Sequence, residues 1–203
     1  MKYPIFASFI ILTLVIRHAI RKNRRVGDNA EDSFWEKERA ANAVRRKPMD
    51  DLIYVVPDLS AFPKETMADD EDISEYRSII EDLSTQKIVN LTGQTNTDLK
   101  FRYGVANLPI LIQYDERYTT LVQTIQKWAD KLWDNGYIEE SVPILEEQVR
   151  LRADISAVYR KLAAYYRDKR TPEKIEELKK AAESLNSASK ASILRAIDQS
   201  ENG

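Results

Sequence analysis

Residues 125–151, IQKWADKLWDNGYIEESVPILEEQVRL, and residues 159–185, YRKLAAYYRDKRTPEKIEELKKAAESL, decide the fold. A shift of 34 positions lays Ile125, Trp128, Ala129, Leu132, Ile144 and Leu151 on Tyr159, Leu162, Ala163, Tyr166, Leu178 and Leu185. Self-similarity at a fixed period of this length marks stacked supersecondary units. Within each unit, large apolar residues a turn apart bury one helix, and a small residue, Ala129 or Ala163, lets a partner helix approach. Turns fall at Asp134-Asn-Gly136 and Lys169-Arg-Thr-Pro172. Gly136 tolerates the left-handed conformation that ends a helix, and Pro172 suits the first turn of the next. The spacing predicts an all-α fold of antiparallel helix pairs, with repeats at 122–155 and 156–189 and a capping helix over 189–200.

This pattern resembles tetratricopeptide repeats, on Trp128, Ala129, Leu132, Gly136 and Ser141 in the first unit and Leu162, Ala163, Tyr166 and Ala182 in the second. Gln148 and Ile175 stand where that pattern favours a small residue, Pro143 enters a second helix, and no proline closes the first unit at Ala153. The resemblance implies that the first helix of each pair lines a concave, peptide-binding groove. Carried over, the lining is Gln123, Gln126, Asp130 and Trp133 beside Ala157, Arg160, Ala164 and Arg167. Two guanidinium groups and an indole suit a carboxylate-bearing segment, through bidentate hydrogen bonds and apolar contact. The residues do not match the lysine and asparagine clamp that the family uses for chaperone tails. The plainer alternative has Trp133 covering the next helix and both arginines in solvated pairs with Asp130 or Asp168. As a whole, the chain also resembles uncharacterised membrane-anchored, tetratricopeptide-like proteins of clostridial-type Gram-positive bacteria, which implies no activity.

Two repeats bury too little alone, because about three stacked units are usually needed. Helices over Ile73–Leu83 and Leu99–Leu121, with Pro109 in a first turn, are therefore expected to form a divergent earlier repeat in a domain spanning 69–203. The acidic run Asp69-Asp-Glu-Asp72 suits the positive end of a helix dipole. Upstream, Lys47-Pro48 stops a stalk helix over Phe34–Arg46, whose start at Ser33-Phe-Trp-Glu36 reads as a capping box. Asp51–Lys64 reads as an extended connector within 47–68. Its apolar Leu52, Ile53, Val55, Val56, Leu59 and Phe62 are too many for a free linker, so it is expected to pack along the helices.

The N-terminal twenty residues carry an uncharged run, YPIFASFIILTLVI over Tyr3–Ile16, followed by Arg17, Arg21, Lys22, Arg24 and Arg25. Carried to Ile20 as a helix, the run reaches about 27 Å at 1.5 Å per residue, against a hydrocarbon thickness of about 30 Å. Only Lys2 precedes it, so the charge asymmetry predicts a single span over 1–20 with the N-terminus outside and the remainder cytoplasmic. Residues 21–46 then form a basic juxtamembrane segment and stalk.

Charged residues make up 32% of the chain and glycines number five, which suits exposed helices over β architecture. A net charge of −2 offers no global attraction for nucleic acid. The chain has no cysteine, which removes thiolate chemistry, and its one histidine, His18, sits at the expected membrane edge. No phosphate-cradling glycine loop or hydrolase motif occurs. These features argue against an enzyme, a metal site, a cofactor and a small-molecule substrate. Two functions fit: a membrane-tethered adaptor that holds a protein segment in its groove, or a structural accessory subunit that joins a membrane or envelope complex through its span and stalk.

Overall fold

The computed structural model describes residues 13, 16, 17 and 31–199. The expected anchor over 1–20 and the flanking Arg21, Lys22, Arg24 and Arg25 lie outside them, apart from Thr13, Ile16 and Arg17. Among the described residues no helix is long and apolar enough to cross a membrane. What is described is helical: α1 (31–42), α2 (Glu71–Ser84), α3 (Asn96–Tyr103), α4 (Leu108–Asp134), α5 (Ile138–Arg150), α6 (Ser156–Asp168), α7 (Pro172–Glu183) and α8 (Lys190–Gln199). Among the described residues the one β interaction is an isolated antiparallel bridge between Tyr54 and Val89.

The described residues divide into two units. One unit joins the described residues up to Pro48 to Thr95–Leu108; the other joins Met49–Gln94 to the described residues from Pro109 onward. In the first, helix α1 already runs through Ser33, so Ser33 lies inside the helix and not at the start expected there. The capping box sits at Thr95 instead, whose hydroxyl accepts from the Asp98 N–H while the Asp98 carboxylate accepts from the Thr95 N–H. Glu38 of α1 accepts from Lys100 and from the Thr97 hydroxyl, and these hydrogen bonds, Lys100 first, hold its carboxyl below the usual range.

Asn107 closes this unit. Its side chain is buried and fully used, donating to the Lys47 and Tyr103 carbonyls at 2.8 Å each and accepting from Arg46 Nε at 2.9 Å. Gly104 (φ +84) makes that knot possible, because a Cβ there would lie 2.1 Å from the Arg45 carbonyl oxygen. It also breaks the helix expected over Leu99–Leu121 into α3, a single 3-10 turn over Val105–Asn107, and α4.

In the second unit, α2 starts where the acidic run predicts: Asp70 caps it by accepting from the Ile73 N–H, with Glu71 and Asp72 in the first turn. Lys131, near the end of α4, pairs with Asp70 at 2.6 Å and Asp72 at 2.5 Å. Arg77 lies over the Trp128 ring, and Val89 N–H donates to the Tyr114 carbonyl. These three contacts make α2 and the segment after it run antiparallel to α4. The connector packs as expected in part. Phe62 is buried against Trp128, with ring centroids 5.1 Å apart, whereas Ile53, Val56 and Leu59 are exposed. A carboxylate clamp pins it down. Buried Glu147 accepts the Asp58 N–H at 2.8 Å and a bidentate fork from Arg150, which in turn donates to the Val56 carbonyl at 2.7 Å. Hydrogen bonding to Glu147 holds the Arg150 guanidinium further above its ordinary pKa.

All twelve residues of the 34-residue alignment are buried, and the turns match bond for bond. Tyr137 N–H donates to Leu132 O and Gly136 N–H to Trp133 O; thirty-four residues on, Thr171 N–H donates to Tyr166 O and Arg170 N–H to Arg167 O. A third turn of this kind closes α5, with Ala153 N–H to Gln148 O and Arg152 N–H to Val149 O. Each is a Schellman-type helix end that needs a left-handed residue: Gly136 (φ 84), Arg152 (φ 63) and Arg170 (φ 56). The last helix keeps the register, since Ile193 and Ile197 are buried one period beyond Tyr159 and Ala163. Helix α6 packs against α5, α7 and α8, and α7 against α8.

A left-handed conformation costs a side chain about 1 kcal/mol that glycine does not incur. Arg170→Gly should therefore raise the unfolding free energy by about 1 kcal/mol in urea titration. A decrease would mean that the arginine side chain supplies more than the strain removes.

Candidate functional site

The face that α4 and α6 share carries most of the residues expected in the groove. Helical spacing puts Gln123, Gln126, Asp130 and Trp133 along α4 and Ala157, Arg160, Ala164 and Arg167 along α6. The structure brings part of this set together. Gln126 Nε2 donates to Asp130 Oδ1 at 2.7 Å, and the same oxygen accepts from Lys161 Nζ at 2.7 Å. Lys161 also sits 5.0 Å from the centre of the Trp133 ring. The indole thus covers part of the neighbouring helix and stacks a cation, with its edge packed on the core.

The two arginines do not form a pair of forks. Arg160, Ala164 and Gln123 are exposed. Arg167 donates to the Ile197 carbonyl near the end of α8, so its guanidinium is part of the packing of the last helix. Neither arginine pairs with Asp130; that role belongs to Lys161. Its signal was the acid–base pair Asp130 and Lys161 on successive first helices, hidden by the neighbouring Arg160, which has the same charge.

Three clefts lie elsewhere on the second unit. One of about 310 Å³ opens between α5, α6 and α7 over Leu162, Tyr166 and Leu178; there Tyr166 donates to Glu146 at 2.6 Å, and burial, then this hydrogen bond, push the phenol above its ordinary pKa. A second, about 510 Å³, lies between the connector and α2 with Phe62, Ile80 and Trp128 in its lining. The Trp128 indole N–H is shielded from solvent and has no acceptor among the described residues. The third, about 390 Å³, is polar. The extended segment Ile53–Val56 forms one wall, and Asn90, Gln94, Arg152, Asp154, Asn186 and Ser187 form much of the rest. Asp154 accepts from the Ser187 hydroxyl. Burial, then the charge of Asp154, pushes the Tyr159 hydroxyl up to about 12.

Among the described residues no group of three His, Asp or Glu side chains is placed to hold a metal ion. The chain matches no protein-family model, no curated protein and no solved structure. The arrangement offers recognition chemistry: exposed cations and amides on a helical scaffold, beside concave surfaces of a few hundred cubic ångströms.

Proposed function

We propose that the chain is a membrane-tethered adaptor. The apolar run over 1–20 spans the bilayer with the N-terminus outside, and tetratricopeptide-like helix pairs hold a protein segment on the cytoplasmic side. The recognition face is that of α4 and α6, with Gln123, Gln126, Asp130, Trp133, Arg160 and Ala164 as its contacts and Lys161 as a fixed cation between them. Arg167 serves the stack by tying α6 to α8. One observation supports the reading above all: the turn after α4 recurs 34 residues on after α6, and the buried positions 125 and 129 recur in α6 and again in α8, as a regular stack of first helices requires. Charge at that face would act on a partner's acidic groups through charge-assisted hydrogen bonds.

Affinity capture of the full-length protein from membranes tests this. Arg160→Glu with Ala164→Glu changes two exposed positions and leaves the core intact, so the fold should persist while the captured partner is lost. Undiminished capture by the double variant would remove this face from the function.

A further inference from the structure

We infer that the outer edge of the extended segment Ile53–Val56 is a main-chain docking site for an extended peptide carrying an acidic side chain, distinct from the α4–α6 face. The argument starts from the backbone. Tyr54 bridges Val89 in antiparallel fashion, and the Val55 N–H donates to the Ile88 carbonyl at 2.9 Å. In extended chain, successive N–H groups point to opposite sides. Tyr54 is thus the non-hydrogen-bonded member of its pair, and its N–H and C=O, with the Val56 N–H, turn away from residues 88–90. None of the three has a partner among the described residues. The Val56 carbonyl, on the same side, is taken by Arg150.

An open strand edge of this kind is a template for another chain. Here it is held rigid, because Arg150 and Glu147 clamp its far end, and a cleft of about 390 Å³ lies against it. Two branched apolar side chains flank the edge in water, Ile53 at 85% and Val56 at 64% exposure, ready to cover side chains of an added strand. The cleft decides the charge of the occupant. Arg150 is already neutralised by Glu147. The half-buried Asp154 carboxylate keeps its charge beneath the hydrogen bond from Ser187 and is offset by the exposed Lys87 ammonium, 5.2 Å from the centre of the Tyr54 ring. Arg152 remains, exposed and without an ion-pair partner among the described residues, on a left-handed residue at the α5–α6 turn. Asn186 and Gln94 add amides that match a peptide group in both donor and acceptor.

The probe is a fluorescein-labelled pentapeptide of alternating threonine and valine with a central aspartate, titrated by anisotropy into the full-length chain in detergent micelles. Saturable binding is expected below about 1 mM, with hydrogen exchange slowed at the Tyr54 and Val56 amides. Arg152→Gly suits the left-handed turn and keeps the fold, so it should weaken binding by about tenfold, as should a lysine in place of the peptide's aspartate. Methylating alternate peptide nitrogens removes the main-chain donors and should abolish binding. Absence of saturable binding, equal binding by the methylated peptide, or indifference to both charge changes would overturn the proposal. Protection of those two amides that grows with protein concentration alone would assign the edge to a second copy of the chain and overturn it equally.

Discussion

Trp128→Ala is expected to remove about 3–5 kcal/mol from the stability of the helical stack. Trp128 is 1% exposed, and it lies where α2, the connector and α4 converge, under Arg77 and against Phe62. Its indole N–H has no acceptor among the described residues, so the expected loss lies in packing and in the ring's contact with Arg77. Leu162→Ala, at the equivalent position of the next repeat, should cost about 2–5 kcal/mol by the same mechanism. Trp133→Ala offers the contrast, because that ring is only half-buried, packing on the margin of the core and stacking Lys161 across the helix pair. Urea unfolding measures all three. A Trp128→Ala loss under about 1 kcal/mol, or one no larger than that of Trp133→Ala, would mean the core does not close around this residue.

Gly93→Ala should be the most damaging of the single-methyl additions in the second unit. Gly93 has φ +82, and a Cβ there would lie 2.2 Å from the Asn186 carbonyl oxygen. That atom is backbone, so one of the two loops must move. Strained φ and forced displacement together give an expected loss of about 2–5 kcal/mol. Gly136→Ala isolates the first of these contributions: its φ is +84, but among the described residues nothing lies within 4 Å of the added carbon, so about 1 kcal/mol is expected. Thermal melts of the two variants should therefore separate clearly. Equal losses would show that the close approach of Gly93 to Asn186 is not maintained in solution.

The sequence carried the fold where local chemistry and periodicity agreed. Gly136 and Pro172 marked two helix junctions because one supplies a left-handed end and the other a preset first turn, and both act there. The turn at Arg152 was not legible, since a non-glycine residue takes the left-handed conformation and no proline follows. The break at Gly104 was missed for a different reason. Its cause is the close passage of Arg45, fifty-nine positions earlier, and nothing in the apolar spacing around Tyr103 signals it. Ser33 does not mark the helix start, because a capping box is only a local preference, and here the helix runs through it.

The candidate face was legible as positions on helices and not as partners. Gln126, Asp130 and Trp133 share one cluster, yet the cation completing it is Lys161, and Arg167 turns to α8. Which of several similar cations reaches a given carboxylate depends on distances of a few ångströms between helices, which no spacing rule conveys. The clamp of Asp58, Glu147 and Arg150 joins residues about ninety apart and was invisible for that reason.

The claim of a regular stack of first helices meets its most direct measurement in double electron–electron resonance. The chain contains no cysteine, so spin labels placed pairwise at Gln123, Ala157 and Ala191, each one period apart on α4, α6 and α8, have no background. A repeating stack predicts that the 123–157 and 157–191 distances agree to within a few ångströms. Distances that differ by a helix diameter, about 10 Å, would contradict it.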